Sequence, residues 1–130
     1  MPNTYILRRL HNKKADLPNR QVLAAADGAI DIGLNNFPDT VLITKGTAAT
    51  LTIAAPTAGV PAKGGHDGMR VTVLSTTAAA HTLTNSSPGF NGAGSGSDVG
   101  TFGAAIGNWI TLEAYNGAWY VVGSLNVTLA

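Results

Sequence analysis

The chain contains no cysteine, which excludes a disulfide framework, thiolate chemistry and any metal site built on sulfur. Charge is scarce as well, with Asp, Glu, Lys and Arg making up 12% of residues. Aromatics are 6%, and no run approaches the ~20 apolar residues of a membrane-spanning helix. The basic residues near the N-terminus are not followed by an apolar core, so no signal peptide is expected. Catalytic and cofactor motifs are missing in the same way. The glutamate Glu113 would need Asp67 or Asp98 to approach it in space before a paired-carboxylate site could form. Gly94, Gly96 and Gly100 miss the dinucleotide-binding spacing by one residue, and no G-K-[ST] or G-x-S-x-G occurs. His11, His66 and His81 fall in different segments with no metal-ligand spacing, which leaves only a site shared between symmetry copies of His66 or His81. The expectation is a protein that is not an enzyme and carries no cofactor or metal.

What the chain does have is glycine, threonine and small apolar residues. Sixteen glycines and abundant threonine favour strands and turns over helices. At 130 residues one domain is expected. Of its residues 45% are apolar, but many are alanine, so the core per residue is thin. A thin core in a weakly charged β protein favours extra burial in an oligomer.

The clearest local signal is a hairpin, Gly107 to Ser124. Asn116-Gly117 is the preferred central pair of a two-residue type I′ turn, since both positions need a positive φ. Folding about it sets Ala114 opposite Trp119, Leu112 opposite Val121 and Ile110 opposite Gly123 on a core-facing side. Tyr115/Ala118, Glu113/Tyr120, Thr111/Val122 and Trp109/Ser124 fall on the other. A slip of one residue would turn Glu113 inward, so the register is well specified. Leu112, Asn116, Gly117, Trp119 and Val121 are the expected structural residues of this hairpin. Trp109, Tyr115 and Tyr120 share its outer face and form an alternative candidate site, a stacking platform for a glycan.

Further strands follow from alternation over residues 29–34, 40–44, 49–54, 69–74, 81–84 and 126–130, with a short lead-in at 21–26 and another short strand starting at Thr101. Residues 56–65 read as a loop, and the Gly/Ser-rich stretch 86–100 as a long mobile one. Eight to ten short strands predict an all-β antiparallel sandwich or barrel, jelly-roll-like, over residues 21–130. Residues 1–20 read separately, as a basic N-terminal arm. Arg8, Arg9, Lys13, Lys14 and Arg20 stand there against Asp16 alone, whereas Lys45, Lys63 and Arg70 in the body face Asp27, Asp31, Asp39, Asp67, Asp98 and Glu113. Tyr5, Ile6, Leu7 and Leu10 supply apolar anchors beside the arm's charges, which suits docking on a foreign surface. The body shows no basic patch with interleaved aromatics, so direct nucleic-acid binding is not expected.

From Asp27 onward the chain resembles small virion structural proteins of tailed bacteriophages, of the capsid decoration (cement) type. The resemblance lies in Asp27-Gly28-Ala29-Ile30, in Leu51 to Gly59, in Asp67-Gly68, and in Thr101-Phe102 leading to Leu112–Val121, where an aromatic-Asn-Gly-x-Trp motif stands. It implies a cofactor-free homotrimer on the outer surface of a virion, bound where major capsid protein subunits meet, with no membrane partner. The arm matches no part of that pattern, and its capsid-contact role rests on its charges and anchors. A tail, baseplate or fibre module binding a host glycan is the alternative.

Overall fold

The computed structural model describes the backbone of residues 20–23 and all of residues 26–130. Ten strands form among them: β1 Arg20–Leu23, β2 Gly28–Ala29, β3 Thr40–Ile43, β4 Thr50–Thr52, β5 Arg70–Ser75, β6 Thr82–Thr84, β7 Val99–Phe102, β8 Trp109–Tyr115, β9 Ala118–Leu125 and β10 Val127–Leu129. They make two five-stranded sheets, ordered β1-β3-β5-β8-β9 and β2-β4-β6-β7-β10. The expected all-β sandwich is what forms.

The two orders match place for place. Each pass of the chain lays one strand in each sheet, so the pairs β1/β2, β3/β4, β5/β6, β7/β8 and β9/β10 stack as five rungs. Through the first three rungs the chain winds in one sense, and β1–β3, β3–β5, β2–β4 and β4–β6 pair parallel. It turns back between β6 and β7, making β6–β7 and β5–β8 antiparallel. The Asn116-Gly117 turn reverses it once more, and β8–β9 and β7–β10 are antiparallel too. The parallel part departs from the antiparallel, jelly-roll-like expectation. A parallel pair needs a long crossover, usually a helix. Here the strand in the opposite sheet serves as that crossover, so no helix is required.

The winding is written in the sequence as a repeat. Thr40-Val41-Leu42, Thr44 and Thr50-Leu51-Thr52 recur as Thr72-Val73-Leu74, Thr76 and Thr82-Leu83-Thr84. Residues 40–42 are the Cα partners of 72–74, and residues 50–52 those of 82–84. The middle residue of each T-x-T, Leu51 and Leu83, is wholly buried, while the flanking threonines face outward.

Period-2 alternation fills the core as expected. Val41, Ile43, Val71, Val73, Ile110, Leu112, Ala114 and Trp119 come from one sheet, and Leu51, Leu83 and Phe102 from the other. Burying each large apolar side chain contributes ~1.5–3 kcal/mol. Val127 and Leu129 of the tail pack against this core, as the alternation requires. One core residue comes from an unexpected place. Phe90 lies in the Gly/Ser-rich loop yet is wholly buried. Asn85 pins the start of that loop, donating to Ile53 O at 2.8 Å and accepting from Gly89 N–H at 3.0 Å. The loop read as mobile is therefore anchored at two points.

The hairpin turn has φ of 47° at Asn116 and 83° at Gly117, as a type I′ turn requires. Nearest the turn the register is the expected one: Tyr115↔Ala118, Ala114↔Trp119, Glu113↔Tyr120 and Leu112↔Val121. A β-bulge then shifts it, giving Thr111↔Gly123, Ile110↔Ser124 and Trp109↔Leu125. The pairings of Ile110 with Gly123, Thr111 with Val122 and Trp109 with Ser124 are thus corrected. The physical reason is steric. A Cβ at position 123 would meet the Trp109 ring at 3.1 Å, so the shift sets a glycine beneath the indole and leaves Val122 as the extra residue.

Candidate interaction surface

The outer face of the β1-β3-β5-β8-β9 sheet is banded. One band is apolar: Leu42, Leu74, Trp109 and Leu125 are successive Cα partners across four strands. The first three are half-buried, and Leu125 is 52% exposed. The next band is Thr40, Thr72 and Thr111, ending on Gly123, with Thr72 and Thr111 sharing a 2.8 Å hydrogen bond through their hydroxyls. The third holds Arg70, Glu113 and Tyr120, with Arg70 Nε on Glu113 Oε1 at 2.6 Å. Sequence reading missed the apolar band. Its signal is that Val41-Leu42-Ile43 and Val73-Leu74 are apolar on both faces, which simple alternation does not produce. The other sheet shows the matching pattern in threonine: Thr50, Thr82, Thr101 and Thr128 are successive Cα partners on its outer face.

The three rings of the alternative glycan site share one face, as expected, but do not converge. Tyr115 and Tyr120 sit together, centroids 6.4 Å apart and planes tilted by 54°. They are 61% and 39% exposed. Trp109 lies at the far end of β8, six residues from Tyr115, or ~20 Å along a strand. Glu113 is engaged by Arg70, and Asp67 accepts the N–H of Asn116 at 2.8 Å. Among the hairpin residues, Trp119 is wholly buried and Nε1–H donates to Ala54 O at 2.8 Å. Leu112 is wholly buried, and Val121 packs partly against the core. The arm residues Tyr5, Ile6, Leu7, Arg8, Arg9, Leu10, Lys13 and Lys14 lie outside the described residues.

An open sheet edge invites unwanted pairing. At β9 part of that edge is covered, because Asn91 Oδ1 accepts the N–H of Val121 at 2.9 Å and the loop carrying Asn91 lies against the strand.

The turns at the two margins of the sandwich tie rung to rung. Asp27 Oδ1 accepts from Lys45 Nζ at 2.8 Å and from Thr50 N–H at 2.9 Å. The Lys45 ammonium, with the Thr50 N–H behind it, lowers the pKa of this exposed carboxyl below its ordinary value. One rung further on, His81 Nδ1 accepts from Ala49 N–H at 3.0 Å and Nε2 meets Thr77 Oγ1 at 2.9 Å. At the opposite margin His66 Nδ1 accepts from Thr57 N–H at 2.9 Å, and Nε2 meets Ile32 O at 2.6 Å. Both rings are buried with both nitrogens engaged. A shared metal site on copies of either histidine would first have to break these bonds. Among the described residues, no group of three or more His, Cys, Asp or Glu is placed to hold a metal ion, and no helix is long and apolar enough to cross a membrane.

What this geometry presents is a banded face, with an apolar row, a threonine row and a charged row side by side. The chain matches no protein-family model and no curated protein sequence.

Proposed function

We propose that this chain is a non-catalytic structural subunit that acts by binding other protein subunits. In the form its resemblance suggests, it is a homotrimeric capsid decoration protein on the outer surface of a tailed-phage virion. The observation that supports binding is the apolar band Leu42–Leu74–Trp109–Leu125, in register across four strands on the outer face of one sheet and ending on the exposed Leu125. A row of this kind is costly to leave in water and is what an intersubunit contact would cover. The assignment to a virion rests on the resemblance of residues 27–30, 51–59, 67–68, 101–102 and 112–121. A protein that binds only the assembled shell, across major capsid protein subunits, stabilises it by mass action. Three linked arms would add avidity without any one contact being strong. In the arm, Tyr5, Ile6, Leu7 and Leu10 would set the dissociation rate, and Arg8, Arg9, Lys13 and Lys14 would steer encounter.

Light scattering at micromolar concentration tests the assembly, with a trimer mass expected and a monomer mass refuting it. Deleting residues 1–14 should leave a folded trimer while strongly reducing occupancy on purified heads. Undiminished decoration by the truncated protein would remove the arm from the mechanism.

The exposed pair Tyr115 and Tyr120 favours a second reading, a tail or fibre module that stacks a host sugar. A glycan array decides it. Binding that is lost on Tyr115→Ala, with the fold intact, would favour this reading, and silence across a broad array would remove it.

A further inference from the structure

His81 stands on the third rung where Ala49 stands on the second, and its ring bridges the two. Nδ1 faces the Ala49 N–H, which can only donate, so Nδ1 is the bare nitrogen. Thr77 Oγ1 lies 2.6 Å from Lys45 O, which can only accept, so the hydroxyl proton goes there. Thr77 Oγ1 must then accept Nε2–H of His81 at 2.9 Å. Every role is forced, and the ring is held as the neutral Nε2–H tautomer.

The charges around it do not favour a second proton. The turn of residues 44–49 carries Lys45, itself paired with Asp27. The ring edge contact comes from Phe102 at 6.4 Å. Residues 76–80, 82–85 and 99–108 carry no titratable side chain.

We propose that His81 is an acid-sensitive latch, whose protonation frees the Ala49 end of the turn of residues 44–49 from the turn of residues 76–81 and thereby loosens the hold of Lys45 and Thr50 on Asp27. A proton on Nδ1 would set one donor against another and leave the buried Ala49 N–H unpaired, which costs more than the bond itself contributed. The freed turn carries Lys45 and leads into Thr50, whose Nζ and N–H bind Asp27 at the margin of the first rung, a rung also held by the β1–β3 and β2–β4 pairs. At the opposite margin the first rung's exit, at Ile32, is held by His66 with the same use of its ring nitrogens. The segments that meet there, residues 31–39 and 57–67, carry Asp31, Asp39, Lys63 and Asp67.

Burial depresses the pKa of His81 below its ordinary value of 6.5, hydrogen bonding at Thr77 acts in the other direction, and the Lys45 charge depresses it further. The opened chain therefore binds more protons than the closed one. The latch contributes fully above pH ~6.5, and its contribution is lost as pH falls from there through the folded value. This inference does not depend on the proposed function.

The test is nitrogen NMR of the His81 ring in the full chain from about pH 7.5 to about pH 5, with amide exchange at Ala49 and Thr50 corrected for intrinsic rates. Leu112 of β8 is the internal reference. The neutral Nε2–H form is expected at the start. Below pH ~6.5 the opening constant at Ala49 should rise by up to about tenfold per pH unit, the slope for one proton, while Leu112 stays protected. In His81→Asn, which cannot take up the proton, that slope should vanish. An opening constant at Ala49 that stays flat from pH ~6.5 to about pH 5 would overturn the proposal. So would a ring that protonates while Ala49 keeps its protection, or loss of protection at Ala49 and Leu112 together. If His81→Asn does not fold, the parent's Ala49-to-Leu112 comparison decides alone.

Discussion

Trp119→Ala removes the largest wholly buried side chain of the core. Three losses combine. The transfer and cavity terms for a large aromatic come to ~3–5 kcal/mol. The Ala54 carbonyl loses the indole N–H that bonds it at 2.8 Å, adding ~1 kcal/mol or more if water cannot reach it. Phe37, whose ring centroid lies 6.0 Å from the indole, loses its tilted partner. A loss of ~4 kcal/mol or more is therefore expected, a large part of the whole stability of a small domain. Trp119→Phe separates the terms. It keeps much of the ring volume but drops the hydrogen bond, and should cost ~1–2 kcal/mol. Urea unfolding of parent, Trp119→Phe and Trp119→Ala, followed by far-UV circular dichroism so that loss of the fluorophore does not matter, measures all three. An alanine variant whose urea midpoint coincides with that of the parent would refute the packing argument. Equal losses for the two variants would place the energy in the hydrogen bond and not in the ring.

Two further substitutions test backbone approach and edge protection. A Cβ at Gly65 would collide with the Gly59 carbonyl, so Gly65→Ala must push two backbone segments apart and should cost at least ~2 kcal/mol in urea unfolding; a neutral result would mean the loop can re-form around the methyl group. Asn91→Ala removes the acceptor of the Val121 N–H, so it should cost ~1 kcal/mol and raise the association state on size exclusion by baring the β9 edge; unchanged stability and mass would show the bond to be incidental.

Much of the fold was legible because its causes are local. Asn116-Gly117 demanded a turn with two positive φ values, and that turn set the first four cross-strand pairs of the hairpin. Alternation put Leu51, Val71, Val73, Leu83 and Trp119 inward. The bulge beyond Leu112 was not legible, since it arises from the fit of Trp109 over Gly123, two residues on different strands. Phe90 was missed because a single aromatic in a Gly/Ser-rich loop carries no period. The candidate surface was half legible. Tyr115 and Tyr120 were seen to share a face, but their separation from Trp109 depends on distance along β8. The apolar band needed the register of four strands before Leu42, Leu74, Trp109 and Leu125 could be recognised as one row.

The repeat of residues 40–52 in residues 72–84 is the signal that would have revealed the winding, because equivalent positions on successive passes become Cα partners. By itself the sequence determined strands, turn type and inward residues, all of which depend on neighbours a few positions away. The tertiary structure decided which strands lie side by side and in which direction. It also decided which turn sits beneath which, and so brought Ala49 under His81 and Asp27 beside Lys45. Those pairings depend on contacts between residues far apart in the chain, where the entropy of closing long loops is offset only by the whole assembled core. No local pattern encodes that sum.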